Sequence, residues 1–123
     1  MFSFGYKYLS LYEFSTHIMN LLFVCSRNQW RSPTAEAIYK NSQEHQAKSA
    51  GTEPSARIKI TEKLINWADI IFVMEKKHRQ RIEQRFSSIV DEKELIVLDI
   101  PDEYQFMDEE LVDLLKISIS PYL

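Results

Sequence analysis

The sequence predicts an α/β fold, with three α/β/α layers built around a parallel sheet of about four strands. Three short apolar runs carry this prediction, at residues 21–24, 70–74 and 95–98. Each run is continuous rather than alternating, as in parallel strands that helices cover on both faces. Helical patterns fill the stretches between the runs. The predicted order is therefore β-α-β-α-β-α-β-α, with the right-handed crossovers that parallel strands require.

The remaining elements follow from local signals. A more polar run at 47–50, just before Gly51, suits a short edge strand. Pro33 is placed for the first turn of a helix over 33–45, with Ser32 as its N-cap. Further helices are predicted over 61–68, 75–86 and 108–117.

Composition restricts the class of protein. A chain of 123 residues with 45% hydrophobic and 27% charged residues is typical of one globular domain. The net charge of −3 argues against bulk affinity for nucleic acid or a membrane surface. The single cysteine excludes an internal disulfide and fits a reducing compartment, so we expect a cytoplasmic protein. No apolar run approaches the roughly 20 residues that span a bilayer.

Residues 1–18 are set apart from the predicted domain, which covers 19–123. This first segment is rich in aromatic residues but lacks the basic start and continuous apolar stretch of a signal peptide. Two interpretations stay open. The segment is either an ordered addition, for example a strand with one aromatic face, or an extension that the fold does not need.

Polar residues follow three of the predicted strands where each strand ends. Cys25 follows the first, Glu75 the third, and the segment 99–102 the fourth. In open α/β sheets, ligands bind beyond the carboxyl ends of the strands. The sequence therefore predicts a functional site at this edge.

The loop that begins at Cys25 has the features of an anion site. A turn from strand into helix directs backbone N–H groups and the positive end of the helix dipole at one point. No glycine lies in the loop, so Asn28 is the candidate for a left-handed conformation. The same field favours the thiolate form of a cysteine, and the planar fork of Arg31 matches two phosphoryl oxygens.

These residues resemble the signature of the low-molecular-weight protein tyrosine phosphatases. The resemblance starts with Cys25-x5-Arg31-Ser32 after a hydrophobic strand. It extends over about residues 19–117, as a compact version of the family, through the following residues: Asn28, Pro33, Glu36, the run Ser49 to Thr52, the run Asp69 to Met74, His78, and the run Ile100 to Tyr104.

The resemblance implies a phosphatase that acts on phosphotyrosine proteins or small aryl phosphates without a metal or organic cofactor. Cys25 would be the nucleophile, Arg31 and the loop amides would stabilise the transferred group, and Asp102 would be the general acid. Trp30 and Tyr104 would flank an aromatic leaving group. The implied phosphate-binding residues, which would also hold inorganic phosphate or sulfate, are Ser26, Arg27, Asn28, Gln29, Trp30, Arg31 and Ser32.

The sequence departs from the family pattern at three positions. Arg27 stands where the family commonly has glycine, Trp30 where many members have a second cysteine, and Glu103 where a proline follows the acid. Asp99 and Glu103 therefore remain alternative proton donors to Asp102. The three histidines show no metal-ligand spacing.

Two other functions stay open at this stage. The altered loop could bind phosphate or a phosphoprotein without turning it over. Alternatively, the basic helix at 75–86 could bind RNA. Its basic side chains are Lys76, Lys77, His78, Arg79, Arg81 and Arg85.

Overall fold

A computed structural model describes residues 18–40, 42 and 44–123, and the predicted N-terminal extension lies outside these residues except for Ile18. The predicted fold class and order of elements are confirmed. The strands are β1 (Asn20–Cys25), β2 (Gln46–Gly51), β3 (Ile70–Val73) and β4 (Glu94–Val97). The helices are α1 (Arg31–Lys40), α2 (Glu62–Trp67), α3 (Lys76–Val90) and α4 (Glu109–Ile119), followed by a 3₁₀ turn at Ser120–Tyr122.

The four strands form one parallel sheet in the order β2-β1-β3-β4. Strand β1 pairs with β2 on one side and β3 on the other, so that Val24 lies between Ala50 and Val73. The polar strand β2 occupies an edge, as its composition predicts, and only its last three residues are buried. Because β1 lies inside the sheet, the residues that follow its carboxyl end are flanked by the ends of β2 and β3.

Alternate side chains of β1 supply two separate halves of the core. Leu21, Phe23 and Cys25 face a cluster that includes residues of α1 and α4. Leu22 and Val24 face a second cluster that includes residues of α2 and α3. Both faces of the sheet are therefore covered, which explains the continuous apolar runs. No helix of the described residues is long and apolar enough to cross a membrane.

Helix α1 begins earlier than its sequence predicts. It starts at Arg31 rather than Pro33, because the backbone carbonyl of Trp30 accepts the Thr34 N–H at 3.2 Å and the Thr34 hydroxyl at 2.7 Å. Ser32 thus lies within the first turn, and the prediction that it is the N-cap is wrong. The Ser32 hydroxyl is directed to Cys25 instead.

Two other helix bounds also differ from the sequence pattern. Helix α1 ends at Lys40, and α3 continues to Val90 past non-helical dihedral angles at Phe86 (φ −134°, ψ 33°). The starts of α2 and α4 follow the expected chemistry. Thr61 accepts the Leu64 N–H, and the Asp108 carboxylate accepts N–H groups in the first turn of α4.

Gly51 ends β2 where the chain passes closest to the loop after β1. A Cβ atom at this position would lie 2.5 Å from the Ser26 carbonyl oxygen and 2.6 Å from the Ala56 Cβ. The first of these neighbours is backbone, so a side chain here forces the loop to move. Gly51 is required by this close approach.

We predict that Gly51→Ala lowers the free energy of unfolding by about 1–3 kcal/mol, the usual cost of overpacking. It should also weaken phosphate binding, because the displaced carbonyl belongs to the anion loop. Urea denaturation and calorimetric titration with phosphate measure the two effects. Unchanged stability together with unchanged phosphate affinity would show that the contact is not tight.

Candidate active site

The site is built on the loop that connects β1 to α1. Cys25 ends the strand with its side chain buried, at 3% exposure. Asn28 supplies the turn, since its φ of 58° lies in the left-handed region that asparagine tolerates better than most residues. The loop therefore closes without a glycine. Helix α1 begins directly at its end and directs its N-terminus at the same point.

The loop carbonyls point away from the site. Those of Cys25, Ser26 and Arg27 accept backbone N–H groups from the segment 52–57, each at 3.0 Å. The carbonyl of Asn28 accepts a guanidinium N–H from the same segment at 3.1 Å. Across a trans peptide, the N–H of the next residue points opposite to the carbonyl. The amides of residues 26–29 are thereby turned to the other side, an arrangement that suits an anion.

A directed chain of hydrogen bonds reaches the thiol. The side-chain amide of Asn28 donates to the Ser32 hydroxyl at 2.9 Å and to the Ser49 hydroxyl at 2.8 Å. Ser49 in turn donates to the Glu36 carboxylate at 2.5 Å. Ser32 Oγ lies 2.9 Å from Cys25 Sγ, closer than to the Ala50 carbonyl oxygen, which accepts from the same hydroxyl at 3.4 Å. The network therefore ends at the sulfur of Cys25.

Arg31 is buried at the carboxyl edge of the sheet, with 1% exposure. Its Nη1 atom donates to Glu75 Oε2 at 2.6 Å and to the backbone carbonyl of Ile100 at 2.8 Å. Its Nε atom lies 3.6 Å from Asp102 Oδ1. Among described residues, Nε and Nη2 make no hydrogen bond, and the ion pair between Nε and Asp102 is the contact given for this edge of the guanidinium. This edge can bind two phosphoryl oxygens.

Glu75 balances the charge of Arg31. Burial alone raises the pKa of this carboxyl, but the hydrogen bond and charge of Arg31 outweigh burial and hold the pKa below its usual value. Lys77 contributes in the same direction, with its Nζ 3.5 Å from the carboxylate. Glu75 is therefore ionised at neutral pH and keeps the guanidinium in place.

His78 lies fully buried in the first turn of α3. Its Nδ1 atom accepts the Glu75 backbone N–H at 3.0 Å, and its Nε2 atom lies 2.9 Å from Ser26 Oγ. Burial, followed by the charge of Arg31, lowers its pKa from 6.5 to about 4. The ring is therefore neutral at physiological pH.

The loop forms the floor of an open pocket of about 290 Å³. Loop residues that line it are Cys25, Ser26, Arg27, Gln29, Trp30 and Arg31. Glu53, Lys77 and Asp102 complete its walls. The pocket thus carries a thiol at its base, with donors around it and a carboxyl group at the side.

The sequence-predicted residues fall into three groups, which are buried in the hydrogen-bond network, line the pocket, or lie outside the pocket lining. Of the predicted phosphate-binding residues, Asn28 and Ser32 are buried in the hydrogen-bond network, and the others line the pocket. Of the three possible acids, Asp102 lines the pocket, whereas Asp99 and Glu103 do not.

The two predicted flanking aromatic residues have different positions. Trp30 is at the rim, 43% exposed. Tyr104 packs partly against the core and donates its hydroxyl to Glu110 at 3.2 Å, outside the pocket lining. Burial, followed by the hydrogen bond to Glu110, raises the pKa of Tyr104, so its phenol stays protonated at neutral pH.

Several residues that shape the site were missed by sequence reasoning. The segment 52–57 holds the loop carbonyls, the Ile100 carbonyl binds Arg31, and His78 contacts Ser26. Every residue type carries a main-chain carbonyl, so the sequence does not show which carbonyl binds a given side chain. His78 had a detectable signal, since it lies in the turn that resembles the phosphatase family, but its partner could not be inferred.

Sequence comparison agrees with this geometry. A family model described as low-molecular-weight phosphotyrosine protein phosphatase matches residues 20–66, from β1 to α2. Over these residues the chain is similar to that family. The resemblance stated from the sequence is thereby confirmed. A search of curated proteins finds no match.

Solved structures of phosphatases share the fold. One is SP-PTP, a low-molecular-weight protein tyrosine phosphatase from Streptococcus pyogenes, with 20% identity, a TM-score of 0.71, and coverage of 85% of this chain and 91% of that chain. The tyrosine phosphatase Wzb from Escherichia coli K30, in complex with phosphate, has 21% identity, a TM-score of 0.69, and coverage of 86% and 96%. The YwlE arginine phosphatase from Geobacillus stearothermophilus has 22% identity, a TM-score of 0.66, and coverage of 85% and 93%.

The described residues contain no group of three or more His, Cys, Asp or Glu side chains that could hold a metal ion. The reactive or charged groups that the site presents are the Cys25 thiol, the Arg31 guanidinium and the Asp102 carboxyl.

We predict that His78 makes the folded protein less stable in acid. Below about pH 6.5 the unfolded chain binds a proton at this ring, whereas the folded chain does so only near pH 4. The unfolded state therefore binds more protons in this window, and the free energy of unfolding falls as the pH falls. For one proton, the loss is on the order of 3 kcal/mol.

Urea denaturation at several pH values between about 7 and 4 measures this loss. His78→Asn should lose less stability over that window than the wild type, because asparagine does not titrate. Arg31, Glu75, Lys77 and Arg81, whose charges act on the ring, are present in both proteins. Parallel stability curves for the two proteins would contradict the assignment.

Proposed function

We propose that this protein is a phosphatase that hydrolyses phosphotyrosine, or a related aryl phosphate monoester, through a phosphocysteine intermediate. One observation carries the proposal. Cys25 lies at the base of the pocket, with Ser32 Oγ 2.9 Å from its sulfur and with Arg31 and Asp102 in the same pocket lining. This arrangement combines a nucleophile with donors for a transferred phosphoryl group.

In the first step, the thiolate of Cys25 attacks phosphorus. An S–P bond forms as the bond between phosphorus and the leaving oxygen breaks. Arg31 and the loop amides stabilise the charge on the equatorial oxygens. Asp102 lies at the wall of the pocket and donates its proton to the departing phenolate oxygen.

In the second step, water hydrolyses the phosphocysteine. The carboxylate of Asp102, now deprotonated, takes a proton from the attacking water. The S–P bond breaks, inorganic phosphate leaves, and the thiolate is regenerated. The proton that Asp102 gave to the phenolate is thereby replaced, so the cycle closes without a metal or an organic cofactor.

The geometry favours catalysis over phosphate binding alone. Arg27 and Trp30 depart from the family pattern, but their backbone carbonyls are bound outside the pocket. Their side chains therefore change the rim and leave the loop amides unaltered. Glu103, the third departure, does not line the pocket.

The basic helix gives no support to the RNA hypothesis. Four of its cations already have partners within the protein. Arg79 pairs with Glu83, Arg81 with Glu53, and Lys77 with Glu75. Arg85 donates to the backbone carbonyl of Thr52 at 3.5 Å. Two of these contacts, those of Arg81 and Arg85, join the helix to the segment 52–57 that holds the loop.

We place the proposed enzyme in the cytoplasm, on the grounds of its single cysteine, with phosphotyrosine proteins as its substrates. Wzb, which shares the fold, is solved with phosphate, which supports the same anion in this loop. Because two structural neighbours are described as the YwlE arginine phosphatase, assays should compare phosphotyrosine with phosphoarginine peptides. If the phosphoarginine peptides turn over faster than the phosphotyrosine peptides, the proposed substrate class changes from aryl phosphates to phosphoarginine.

We predict that Cys25→Ser abolishes turnover of p-nitrophenyl phosphate, because a serine hydroxyl remains protonated at neutral pH. Steady-state assays measure the loss. Thermal melting and calorimetric phosphate titration of the same variant serve as controls for its fold and loop. Turnover at the wild-type rate in a folded Cys25→Ser protein would refute the mechanism.

We predict that Asp102→Asn lowers kcat by roughly 10²–10⁴-fold with phenyl phosphate, the usual effect of losing a general acid. The loss should be smaller with p-nitrophenyl phosphate, whose leaving group needs less protonation. Asp99→Asn and Glu103→Gln are matched controls that should stay near the wild-type rate, since neither residue lines the pocket. A larger loss of kcat in either control variant would show that the residue replaced in that variant is the general acid.

A further inference from the structure

Ser26 is the residue that follows the proposed nucleophile, and its side chain contacts helix α3. It lines the pocket but is only 8% exposed. Its hydroxyl oxygen lies 2.9 Å from His78 Nε2, across 52 residues of sequence. The proposed mechanism uses the amides and Arg31, and leaves this buried pair without a role.

The hydrogen bonds around His78 determine where its proton lies. Nδ1 accepts the Glu75 backbone N–H at 3.0 Å, so Nδ1 carries no proton. The neutral ring must then carry its proton on Nε2. Burial and the charge of Arg31 lower the pKa of His78 to about 4, which keeps the ring in this neutral form at pH 7. Nε2–H therefore donates to Ser26 Oγ.

A hydroxyl that accepts a hydrogen bond from a fixed donor has its own proton left to donate. We propose that His78 is a positioning residue that holds Ser26 so that the Ser26 hydroxyl donates to a phosphoryl oxygen of the bound substrate. The arrangement parallels Asn28 and Ser32, in which a buried donor orients a hydroxyl toward Cys25. Asn28 thus orients a hydroxyl toward the sulfur, and His78 orients a hydroxyl toward the phosphoryl group.

This proposal rests on the proposed function, because it assigns Ser26 to the same phosphate site. It predicts that His78 contributes to phosphate affinity only through Ser26. If His78 merely supported the start of α3, its bond to the Glu75 N–H would be sufficient. The two ring nitrogens can be tested separately, because two amide side chains replace them selectively.

His78→Asn and His78→Gln form the decisive pair of variants. The asparagine oxygen can accept the Glu75 N–H in place of Nδ1, but its amide is too short to reach Ser26. The longer glutamine amide can place a donor near the former Nε2 position. His45→Asn is the matched control, since His45 Nδ1 also accepts a backbone N–H, from Met19 at 3.1 Å, away from the loop.

Calorimetric titration of the full chain with inorganic phosphate at pH 7 measures affinity without requiring turnover. We expect Ser26→Ala and His78→Asn each to weaken binding by about 10-fold, as for loss of one hydrogen bond to a charged group. His78→Gln should remain within about 3-fold of the wild type. The double variant Ser26→Ala/His78→Asn should bind no more weakly than either single variant, because coupled residues are not additive. His45→Asn should bind phosphate as the wild type does.

Three results would overturn the proposal. These are wild-type affinity in Ser26→Ala, equal losses in His78→Asn and His78→Gln, and a double variant whose loss is the product of the two single losses. If His78→Asn does not fold, Ser26→Ala and His78→Gln still decide, with weakened and retained affinity expected. If the wild type binds phosphate in this way but shows no turnover, the proposed function fails and the positioning role stands.

Discussion

The site depends on the burial of one charge, the guanidinium of Arg31. At 1% exposure, this group has lost its water, and removing a charge from water costs several kcal/mol. The Glu75 carboxylate and the Ile100 carbonyl replace the lost hydrogen bonds, at 2.6 and 2.8 Å. Glu75 follows β3, and Ile100 follows β4. The same charge therefore connects the loop after β1 with the ends of two neighbouring strands.

This connection fixes the orientation of the guanidinium as well as its position. Nη1 is held from the side of β3 and β4, so Nε and Nη2 present the opposite edge of a rigid plane. An anion bound there meets donors whose geometry is already set, and little freedom is lost on binding. Preorganised donors of this kind are most effective where charge develops during a reaction.

Asn28 illustrates what the loop requires of a single residue. It adopts φ 58°, a conformation that glycine commonly supplies, and its side-chain amide also orients two buried hydroxyls. Glycine could satisfy the first requirement but not the second. The cost is visible in Asn28 Oδ1, which is buried without a hydrogen bond from any described residue. Such an unpaired acceptor is destabilising by about 1–3 kcal/mol.

The order of strands and helices could be predicted because buried parallel strands leave continuous apolar runs. The loop could be predicted because Cys25, Asn28 and Arg31 lie within seven residues of each other. The contacts that hold the loop could not, since they join it to residues 52–57, 75, 78 and 100. These contacts depend on how strands pair and on main-chain carbonyls, which any side chain permits. The sequence therefore identifies the reacting groups better than it identifies the residues that hold them in position.

The positions where this loop departs from the phosphatase family pattern can be interpreted from the same contacts. The carbonyls of Arg27 and Trp30 are bound outside the pocket, to the Arg57 N–H at 3.0 Å and to the Thr34 N–H and hydroxyl. These bonds involve the main chain of both residues and not their side chains. The path of the loop is thus independent of which side chains stand at these two positions. Arg27 and Trp30 both line the pocket. They can change which phosphate enters while the amides, Arg31 and Cys25 keep their geometry.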